Sequence, residues 1–337
     1  MGQDSKIEWT HHTFNPWRGC TKVSPGCTNC YAEMLSHRNP KVLGVWGDKG
    51  TRVVASDSMW REPLKWDREA KEAGERRRVF CASLADVFED REELDEPRFR
   101  LLRLIASTTN LDWLLLTKRP DRIEPILKRI PSPLPGFTAW DDWCQEIADK
   151  VWLGTSVEDQ QRADERIPAL LQVPAAVRFL SAEPLLGPID LSRFLGFQHE
   201  DEIGIENRDQ SLPREMRVPF HDPWVRGIDW AIIGGESGSN ARPCDVAWIR
   251  SIRDQCRAAR VPVFIKQMGA KPYWTEHPGV APGSIPAAVI DSYICSGCGE
   301  PDDVDHWIDL RDPKGGDWGE WPEDLRIREF PNAAMAI

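Results

Sequence analysis

Three cysteines near the N-terminus have the spacing of a metal-binding loop. Cys20, Cys27 and Cys30 lie in one short run of the chain, with no fourth cysteine nearby. Three thiolates on one loop can bind three irons of a [4Fe–4S] cube and leave the fourth iron open to an outside ligand. An iron with an open position can bind and activate a second molecule. The spacing therefore predicts a reactive [4Fe–4S] cluster on these cysteines.

Two other interpretations of the three cysteines stay open at this point. A structural zinc ion normally has four nitrogen or sulfur ligands, and the fourth would come from a distant residue or from His11, His12 or His37. Unligated cysteines of a packed core are the other alternative. The glycines and the proline of this run are typical of a turn-forming loop, which favours a ligand loop over a core segment.

The cysteines belong to a longer pattern that resembles a known family. The residues of the pattern are Asn15, Pro16, Trp17, Gly19, Cys20, Gly26, Cys27, Cys30, Tyr31 and Ala32. In this order they resemble the radical S-adenosylmethionine (SAM) superfamily and, within it, the spore photoproduct lyase-like branch. Six residues separate the first two cysteines here, whereas the superfamily usually has three. The whole chain also resembles a phage-associated family with the same long-spaced three-cysteine motif.

The resemblance implies a reaction and its cofactors. A reduced [4Fe–4S] cluster would donate an electron to SAM and cleave it to methionine and a 5′-deoxyadenosyl radical, which would take a hydrogen atom from the substrate. An electron donor such as flavodoxin or ferredoxin is the implied partner. The substrate is unidentified: a nucleobase, nucleotide or nucleic acid is favoured, and a peptide is the alternative.

Short apolar runs alternate with helical patterns along the chain, which is typical of parallel β/α units. The fold class predicted is α/β, a complete or partial TIM-like β/α barrel of seven or eight strands with surface insertions and a C-terminal extension. The predicted strands are Thr13–Asn15, Val79–Ser83, Trp113–Thr117, Val151–Thr155, Val177–Ser181, Trp230–Gly234 and Val263–Lys266. The predicted helices are Glu96–Ser107, Arg122–Arg129, Gln160–Leu171 and Val246–Ala259.

Polar side chains follow nearly every predicted strand. In β/α barrels the carboxyl ends of the strands hold the active site, so these residues are expected to meet around the cysteines. Lys118 and Ser156 stand in segments similar to the Thr-Lys-Ser and Ser-x-Thr elements of the lyase-like branch, and Glu183 is a further candidate for binding SAM or substrate. For Lys118 and Glu183 we expect a catalytic role, although an ordinary surface ion pair is an alternative for the lysine.

The resemblance also implies residues that bind SAM. Gly234-Gly235-Glu236 is similar to the Gly-Gly-Glu element that binds the SAM ammonium group, but it lies on a late strand rather than the second. Ser83 and Asp86 stand where that element usually lies, so both segments remain candidates. A glycine turn with a helix-capping carboxylate is the structural alternative for Glu236. Tyr31, directly after the last cysteine, is the remaining residue expected to contact the cofactor.

The expected domain organisation is a barrel over residues 1–270, with an insertion at about 196–226, and a C-terminal extension over residues 271–337. The extension contains Cys295 and Cys298, and a Cys-x-x-Cys-Gly turn is half of a typical zinc ribbon. A zinc site, an auxiliary cluster and a plain reduced cysteine pair are the interpretations of these two residues.

Composition limits the location and the partners. The 337 residues have a formal net charge of −11 and include nine cysteines. An odd number of cysteines cannot all pair, and an acidic chain disfavours non-specific binding to duplex nucleic acid. With no apolar stretch of membrane-spanning length and no leader pattern, we expect a cytoplasmic protein without membrane contact. The resemblance to the phage-associated family implies a phage-encoded protein that acts in the host cytoplasm. The rival functional class is a non-catalytic, zinc-stabilised nucleic-acid-binding protein of a phage.

Overall fold

A parallel sheet organises the molecule. The computed structural model describes residues 2–3, 5–199, 224–274, 306–308 and 310–331. Its main sheet has eight strands in the order β1-β2-β5-β6-β7-β8-β11-β13, of which all but β1 are parallel to their neighbours. The strands are β1 Gly2–Gln3, β2 His12–Phe14, β5 Arg77–Cys81, β6 Leu111–Thr117, β7 Val151–Ser156, β8 Val177–Ala182, β11 Trp230–Gly234 and β13 Val263–Gln267.

Helices cover the outer face of this sheet and join its strands. They are α1 Tyr31–Arg38, α2 Pro40–Leu43, α3 Asp57–Ala73, α4 Asp95–Ser107, α5 Ile123–Arg129, α6 Ala139–Asp142, α7 Gln160–Leu171 and α8 Val246–Ala258. The remaining strands form three small sheets: β3 Trp17–Arg18 with β4 Val53–Val54, β9 Phe197–His199 with β10 Trp224–Arg226, and β12 Cys244–Asp245 with β14 Pro272–Trp274 and β15 His306–Trp307. No helix in the described ranges is both long enough and apolar enough to span a membrane.

The predicted fold class is confirmed as an open, curled half-barrel. Each predicted strand and helix is found to within two residues of its expected ends. The largest shift is in β5, which begins at Arg77 rather than Val79 because Arg77 and Arg78 pair with Leu111 and Asp112 of β6. In the described ranges no pairing joins β13 back to the first strands, so the barrel is partial.

Two apolar cores lie on the two faces of the sheet. The larger core packs the helices against the outer face. The smaller one fills the inside of the curl with side chains from six strands and the segment before β2, and its members are Trp9, Phe80, Leu114, Trp152, Val177, Phe179, Trp230, Ile232 and Phe264. The aromatic rings meet mostly edge to face around Trp230, which is the preferred packing of aromatic pairs. This plug closes the interior of the half-barrel below the carboxyl ends of the strands.

The tail of the chain covers the free edge of β13. Ile265 N donates to Ile327 O at 2.9 Å, and Glu329 N donates to Val263 O at 2.8 Å. Arg328 then forms an ion pair with Glu8 at 2.8 Å, which connects the tail to the segment before β2. The tail therefore covers the edge of the sheet. An uncovered edge strand can pair with another chain and cause aggregation. The tail runs along the side of the half-barrel.

The predicted domain boundaries remain predictions. β9 and β10 pair antiparallel and bracket residues 200–223, which lie outside the described residues, as does the whole stretch from 275 to 305. Trp321 and Leu325 of the expected C-terminal extension are buried in the larger core of the barrel.

Candidate functional site

The cysteine loop, residues 19–30, lies over the carboxyl ends of the parallel strands. It follows β3 and contains a short 3-10 turn over Pro25–Cys27. Gly19 starts it with φ +104°, and a Cβ at this position would lie 2.6 Å from Thr51 O. Only glycine fits both the positive φ and the close approach, so this residue fixes where the loop leaves β3.

The ends of β5 and β6 provide the first attachment of the cysteine loop. Asp86, after β5, accepts a hydrogen bond at 2.7 Å from Arg119, after β6. The same guanidinium donates to Thr21 O at 2.7 Å and lies 3.9 Å from Cys20 Sγ. The other hydrogen bonds to Asp86 come from Thr117 Oγ1, Lys118 N and Phe88 N.

The second attachment comes from the end of β7. Glu158 has a fully buried side chain that forms an ion pair with Arg166 of α7 at 2.8 Å. Its other oxygen accepts a hydrogen bond from Gly26 N at 3.2 Å, in the middle of the cysteine loop. Arg166 also donates to Ser156 O at 2.7 Å, so the pair is tied to the strand itself.

The third attachment comes from the end of β11. Glu236 accepts hydrogen bonds from Arg242 at 2.6 and 2.9 Å. Asn29 Nδ2 donates to the same carboxylate at 3.0 Å, and Arg242 donates to Pro25 O at 2.9 Å. We call the three pairs Asp86–Arg119, Glu158–Arg166 and Glu236–Arg242 the loop clamp. The clamp attaches the long-spaced loop to three separate strand ends.

The clamp fixes the ionisation of its carboxylates. Burial opposes the charged form of each carboxylate. The neighbouring guanidinium groups and the hydrogen bonds described above have the larger, opposite effect. They hold the pKa of Asp86, Glu158 and Glu236 below the usual range. The carboxylates are therefore ionised at neutral pH and act as fixed acceptors for the loop.

The Gly-Gly-Glu segment lies beside the cysteine loop, as expected. A Cβ on Gly235 would meet Met268 O at 2.2 Å, so the glycine allows the backbone after β13 to pass closely. The Glu236 carboxylate already accepts from Arg242 and Asn29, and Asp86 is likewise saturated. Either carboxylate would have to exchange a partner to accept an ammonium group. The SAM-binding role of Gly234, Gly235, Glu236 and Asp86 thus stays a prediction.

Ser83 and Tyr31 meet at the edge of the loop. Asn15 Nδ2 donates to Ser83 Oγ at 3.0 Å, and the Tyr31 hydroxyl donates to Ser83 O at 2.5 Å. Asn15 also accepts from Leu84 N at 2.7 Å, so the asparagine of the family pattern holds the turn after β5. Both predicted cofactor residues therefore lie next to the cysteines.

Two lysines and one carboxylate line the remaining strand ends. Lys118 Nζ donates to Ser156 Oγ at 3.0 Å, and no carboxylate of a described residue lies within ion-pair distance of this lysine. Lys266, at the end of β13, forms an ion pair with Glu183 Oε1 at 2.5 Å. The predicted residues Lys118, Ser156 and Glu183 thus lie at the same edge of the sheet as the loop clamp, with Ser156 buried and the other two partly buried.

The cysteine loop offers three thiols as metal ligands. All three are free and only partly buried. In the described ranges, no group of three or more His, Cys, Asp and Glu side chains is already arranged to hold a single metal ion. The irons of a [4Fe–4S] cube are bound by one thiolate each, so the donor set of this loop suits three of its four irons. Burial and Asp86 raise the pKa of the Cys20 thiol to about 12, although Arg119 opposes the shift. A cluster that binds here has to displace this proton.

Comparison with known proteins identifies the family. A family model described as "Protein of unknown function (DUF5131)" matches residues 4–284. The chain belongs to the DUF5131 family. No curated protein matches it. The phage association stays a prediction. The metal site on Cys295 and Cys298 also stays a prediction, because both cysteines lie outside the described residues.

Solved structures similar to this DUF5131 member include several of spore photoproduct lyase. A double mutant with bound AdoMet and dinucleoside spore photoproduct is 12% identical, with a TM-score of 0.42, over 92% of this chain and 71% of the other. The lyase complexed with dinucleoside spore photoproduct is 12% identical, with a TM-score of 0.39, over 91% and 71%. A single mutant is 14% identical, with a TM-score of 0.36, over 54% and 47%.

Sequence reasoning missed the cationic half of the loop clamp in this DUF5131 member. Arg119, Arg166 and Arg242 are not among the residues predicted from the sequence, and neither is Glu158. Arg166 has no helical pair spacing that could indicate it, because Glu158 precedes α7 and lies eight positions before the arginine. Asn29 has no local signal either, because its partner Glu236 is 207 positions away.

The low pKa values of the clamp carboxylates predict acid sensitivity of the cluster-free protein. Unfolded carboxyl groups titrate near pH 4, and a pKa lowered by folding stabilises the protein above that value. We expect the free energy of unfolding to fall as the pH falls from about 5 through the unfolded pKa towards the folded one. Urea unfolding from pH 7 to pH 3 measures this. Glu158→Gln should show a shallower loss, and an identical pH profile in this variant would contradict the assignment.

Proposed function

We propose that this DUF5131 member is a radical SAM enzyme with a [4Fe–4S] cluster on Cys20, Cys27 and Cys30. The observation that supports this most is the loop clamp. Three buried or partly buried ion pairs, each from a different strand end, attach one loop with three free thiols to the mouth of a parallel half-barrel. Catalytic sites of β/α barrels lie at this end of the strands.

The chain's own residues have three tasks in this proposal. When bound, the reduced cluster supplies one electron that cleaves SAM to methionine and a 5′-deoxyadenosyl radical, and the radical removes a hydrogen atom from the substrate. The loop clamp holds the thiolates at the mouth. The aromatic plug below it excludes water from the interior. Charged side chains around the mouth orient the ligands.

Lys118 and Glu183 are the side chains we assign to SAM. The carboxylate of the methionine part needs a cation, and Lys118 is an ammonium group that forms no ion pair with a described residue, although it acts electrostatically on Glu158. The ammonium of SAM needs an acceptor. Glu183 has one oxygen in its ion pair with Lys266 and a second that accepts no hydrogen bond from a described residue. Ser156 and Tyr31 stand beside them as hydrogen-bonding groups.

The substrate class follows only from the family resemblance of the cysteine motif. We propose a nucleobase, nucleotide or nucleic acid, with a peptide as the alternative. An electron donor such as flavodoxin or ferredoxin supplies the electron. Reduced clusters and free thiols persist in a reducing compartment, so the proposed place of action is the cytoplasm.

Anaerobic purification followed by incubation with SAM and a reductant tests this function. We expect a brown protein with broad visible absorbance that forms 5′-deoxyadenosine and methionine in equal amounts. A colourless protein with bound zinc and no SAM cleavage would instead support the rival, a zinc-stabilised nucleic-acid-binding protein.

Removing the charge of Lys118 is expected to weaken SAM binding. A hydrogen bond to a charged group contributes about 1.5–3 kcal/mol, so Lys118→Met should raise the Kd for SAM roughly tenfold to hundredfold. Lys118→Arg keeps the charge and should recover part of the affinity. Equilibrium dialysis against the reconstituted protein measures both, and an unchanged Kd in Lys118→Met would exclude this residue from the SAM site.

The C-terminal cysteines are expected to be dispensable for the cluster. Replacing both Cys295 and Cys298 by alanine should leave the iron content and SAM cleavage unchanged. If the pair binds zinc, the variant should also lose thermal stability, because a structural metal contributes to folding. Loss of the visible cluster absorbance in this variant would show that these cysteines belong to the main site.

A further inference from the structure

Helix α1 turns its apolar side to the solvent. Tyr31, Met34 and Leu35 lie on one face of the helix and are 52%, 44% and 41% exposed. The residues that α1 buries are the small Ala32 and Ser36. An amphipathic helix of a globular protein normally buries the stripe formed by positions i, i+3 and i+4. In α1 this arrangement is inverted, so the stripe is available to a partner.

The exposed apolar face continues beyond α1. α1 contacts α2, α2 contacts β4, and Lys22 of the cysteine loop forms an ion pair with Glu33 of α1 at 2.6 Å. We call the exposed apolar residues of this region the apolar collar: Val23, Tyr31, Met34, Leu35, Val42, Val45 and Val54. The other exposed large hydrophobic side chains of the described residues are spread over distant segments, namely Leu64, Leu134, Phe137 and Trp318. An apolar patch of this kind indicates an interaction site.

Positive charge surrounds the apolar collar. Arg38, Lys41 and Lys49 are exposed, and none of them forms an ion pair with a described residue. Of the six Lys and Arg of segment 17–54, Arg18 is buried and the side chain of Arg52 is buried in an ion pair with Glu89. This leaves four cations at the surface against two Asp and Glu, in a chain whose formal net charge is −11. The collar is therefore a cationic island on an acidic protein, and it complements a partner with acidic residues around an apolar centre.

The collar also lies next to the three thiols. Tyr31 directly follows Cys30, and Gly47 N donates to Cys20 O at 2.9 Å. An electron that enters through this surface therefore reaches the cysteine loop without crossing the barrel. A nucleic acid fits the collar less well, because Tyr31 is its only aromatic side chain and single-stranded bases bind by stacking on several.

We propose that the apolar collar is the docking surface for an acidic protein that carries single electrons. This inference rests on the proposed function. At the collar, one electron leaves the reduced redox group of the carrier and arrives on the cluster, and no bond forms or breaks. Redox encounters of this type use small interfaces, which fits a patch made of the short helices α1 and α2, the edge of β4 and the adjoining loops.

Binding of an oxidised flavodoxin, measured through the fluorescence anisotropy of its FMN, tests the surface without using the cluster. We expect binding at low ionic strength that weakens at physiological salt, because exposed charges are screened. Leu35→Glu and Lys41→Glu should each raise the Kd about tenfold. Leu134→Glu and Lys71→Glu are the matched controls, one exposed apolar residue and one exposed lysine elsewhere, and should leave the Kd unchanged.

Three results would overturn the docking surface. One is an equal Kd in the collar variants and the controls. Another is binding of a single-stranded oligonucleotide that is lost in the collar variants while flavodoxin binding is kept. The third is a dimer of the isolated protein that Leu35→Glu converts to a monomer. Reduction by dithionite separates this inference from the proposed function, because dithionite needs no docking surface. If dithionite reduces the cluster equally in all variants, the proposed function stands even when the docking surface is wrong.

Discussion

Replacing Cys27 by alanine is expected to abolish the cluster. With only two thiolates left on the cysteine loop, a cube has no third anchored iron, so iron and acid-labile sulfide should fall to the background after anaerobic reconstitution. The fold should persist, because Cys27 is only partly buried and lies outside the apolar cores. Iron analysis with circular dichroism measures both effects, and Cys20→Ala and Cys30→Ala should behave in the same way.

Cys144 provides the matched control for this experiment. It is an exposed cysteine far along the chain from the cysteine loop. Cys144→Ala should keep the full iron content. Full iron in Cys27→Ala, or equal loss in both variants, would show that the three cysteines do not act as one ligand set.

Neutralising Glu158 is expected to have the largest effect on stability. Glu158→Gln leaves Arg166 buried beside the end of β7 without its counter-charge, and breaking a buried pair costs about 3–5 kcal/mol. The variant also weakens the acceptor of Gly26 N, so the yield of cluster reconstitution should drop together with the free energy of unfolding. Urea unfolding of the cluster-free protein and iron analysis measure the two effects.

Two further variants separate the clamp from a general effect of charge. Glu124→Gln removes an exposed carboxylate that pairs with Lys128, and such pairs contribute about 0.3–0.5 kcal/mol. Glu158→Gln with Arg166→Met removes both buried charges and should recover part of the lost stability. If the single Glu158 variant were no less stable than Glu124→Gln, the pair would not hold the loop.

The sheet could be predicted from the sequence because its signals are local. Each parallel strand is a nearly continuous apolar run, for example Leu111–Thr117, and a strand buried on both faces needs such a run. Helix α3 was missed although it is the longest described helix. Its buried residues Trp60, Pro63, Trp66 and Ala70 have helical spacing, but the proline and the many charges between them obscure the pattern.

The site could be predicted only in part, since its partners are far apart in sequence. Active sites of β/α barrels lie at the carboxyl ends of the strands, and from this rule we expected Glu236 and Asp86 beside the cysteine loop, where the structure has them. The rule could not tell that Arg242 and Arg119 already occupy these carboxylates. An acidic residue at a strand end can bind a cofactor only if folding leaves its carboxylate without a cation. If an arginine lies beside it, the carboxylate instead becomes a fixed part of the scaffold. That outcome is set by the packing of three β/α units and has no local signal.

Electron paramagnetic resonance of the reduced, reconstituted protein with and without SAM is the most direct test of the central claim. If three thiolates leave one iron open, SAM binds to that iron and changes the spectrum of the reduced [4Fe–4S] cluster. We therefore expect a cluster signal whose g-values shift when SAM is added, and a much smaller shift at the same SAM concentration in Lys118→Met. A protein that binds no iron, or a cluster whose spectrum does not respond to saturating SAM, would contradict the account.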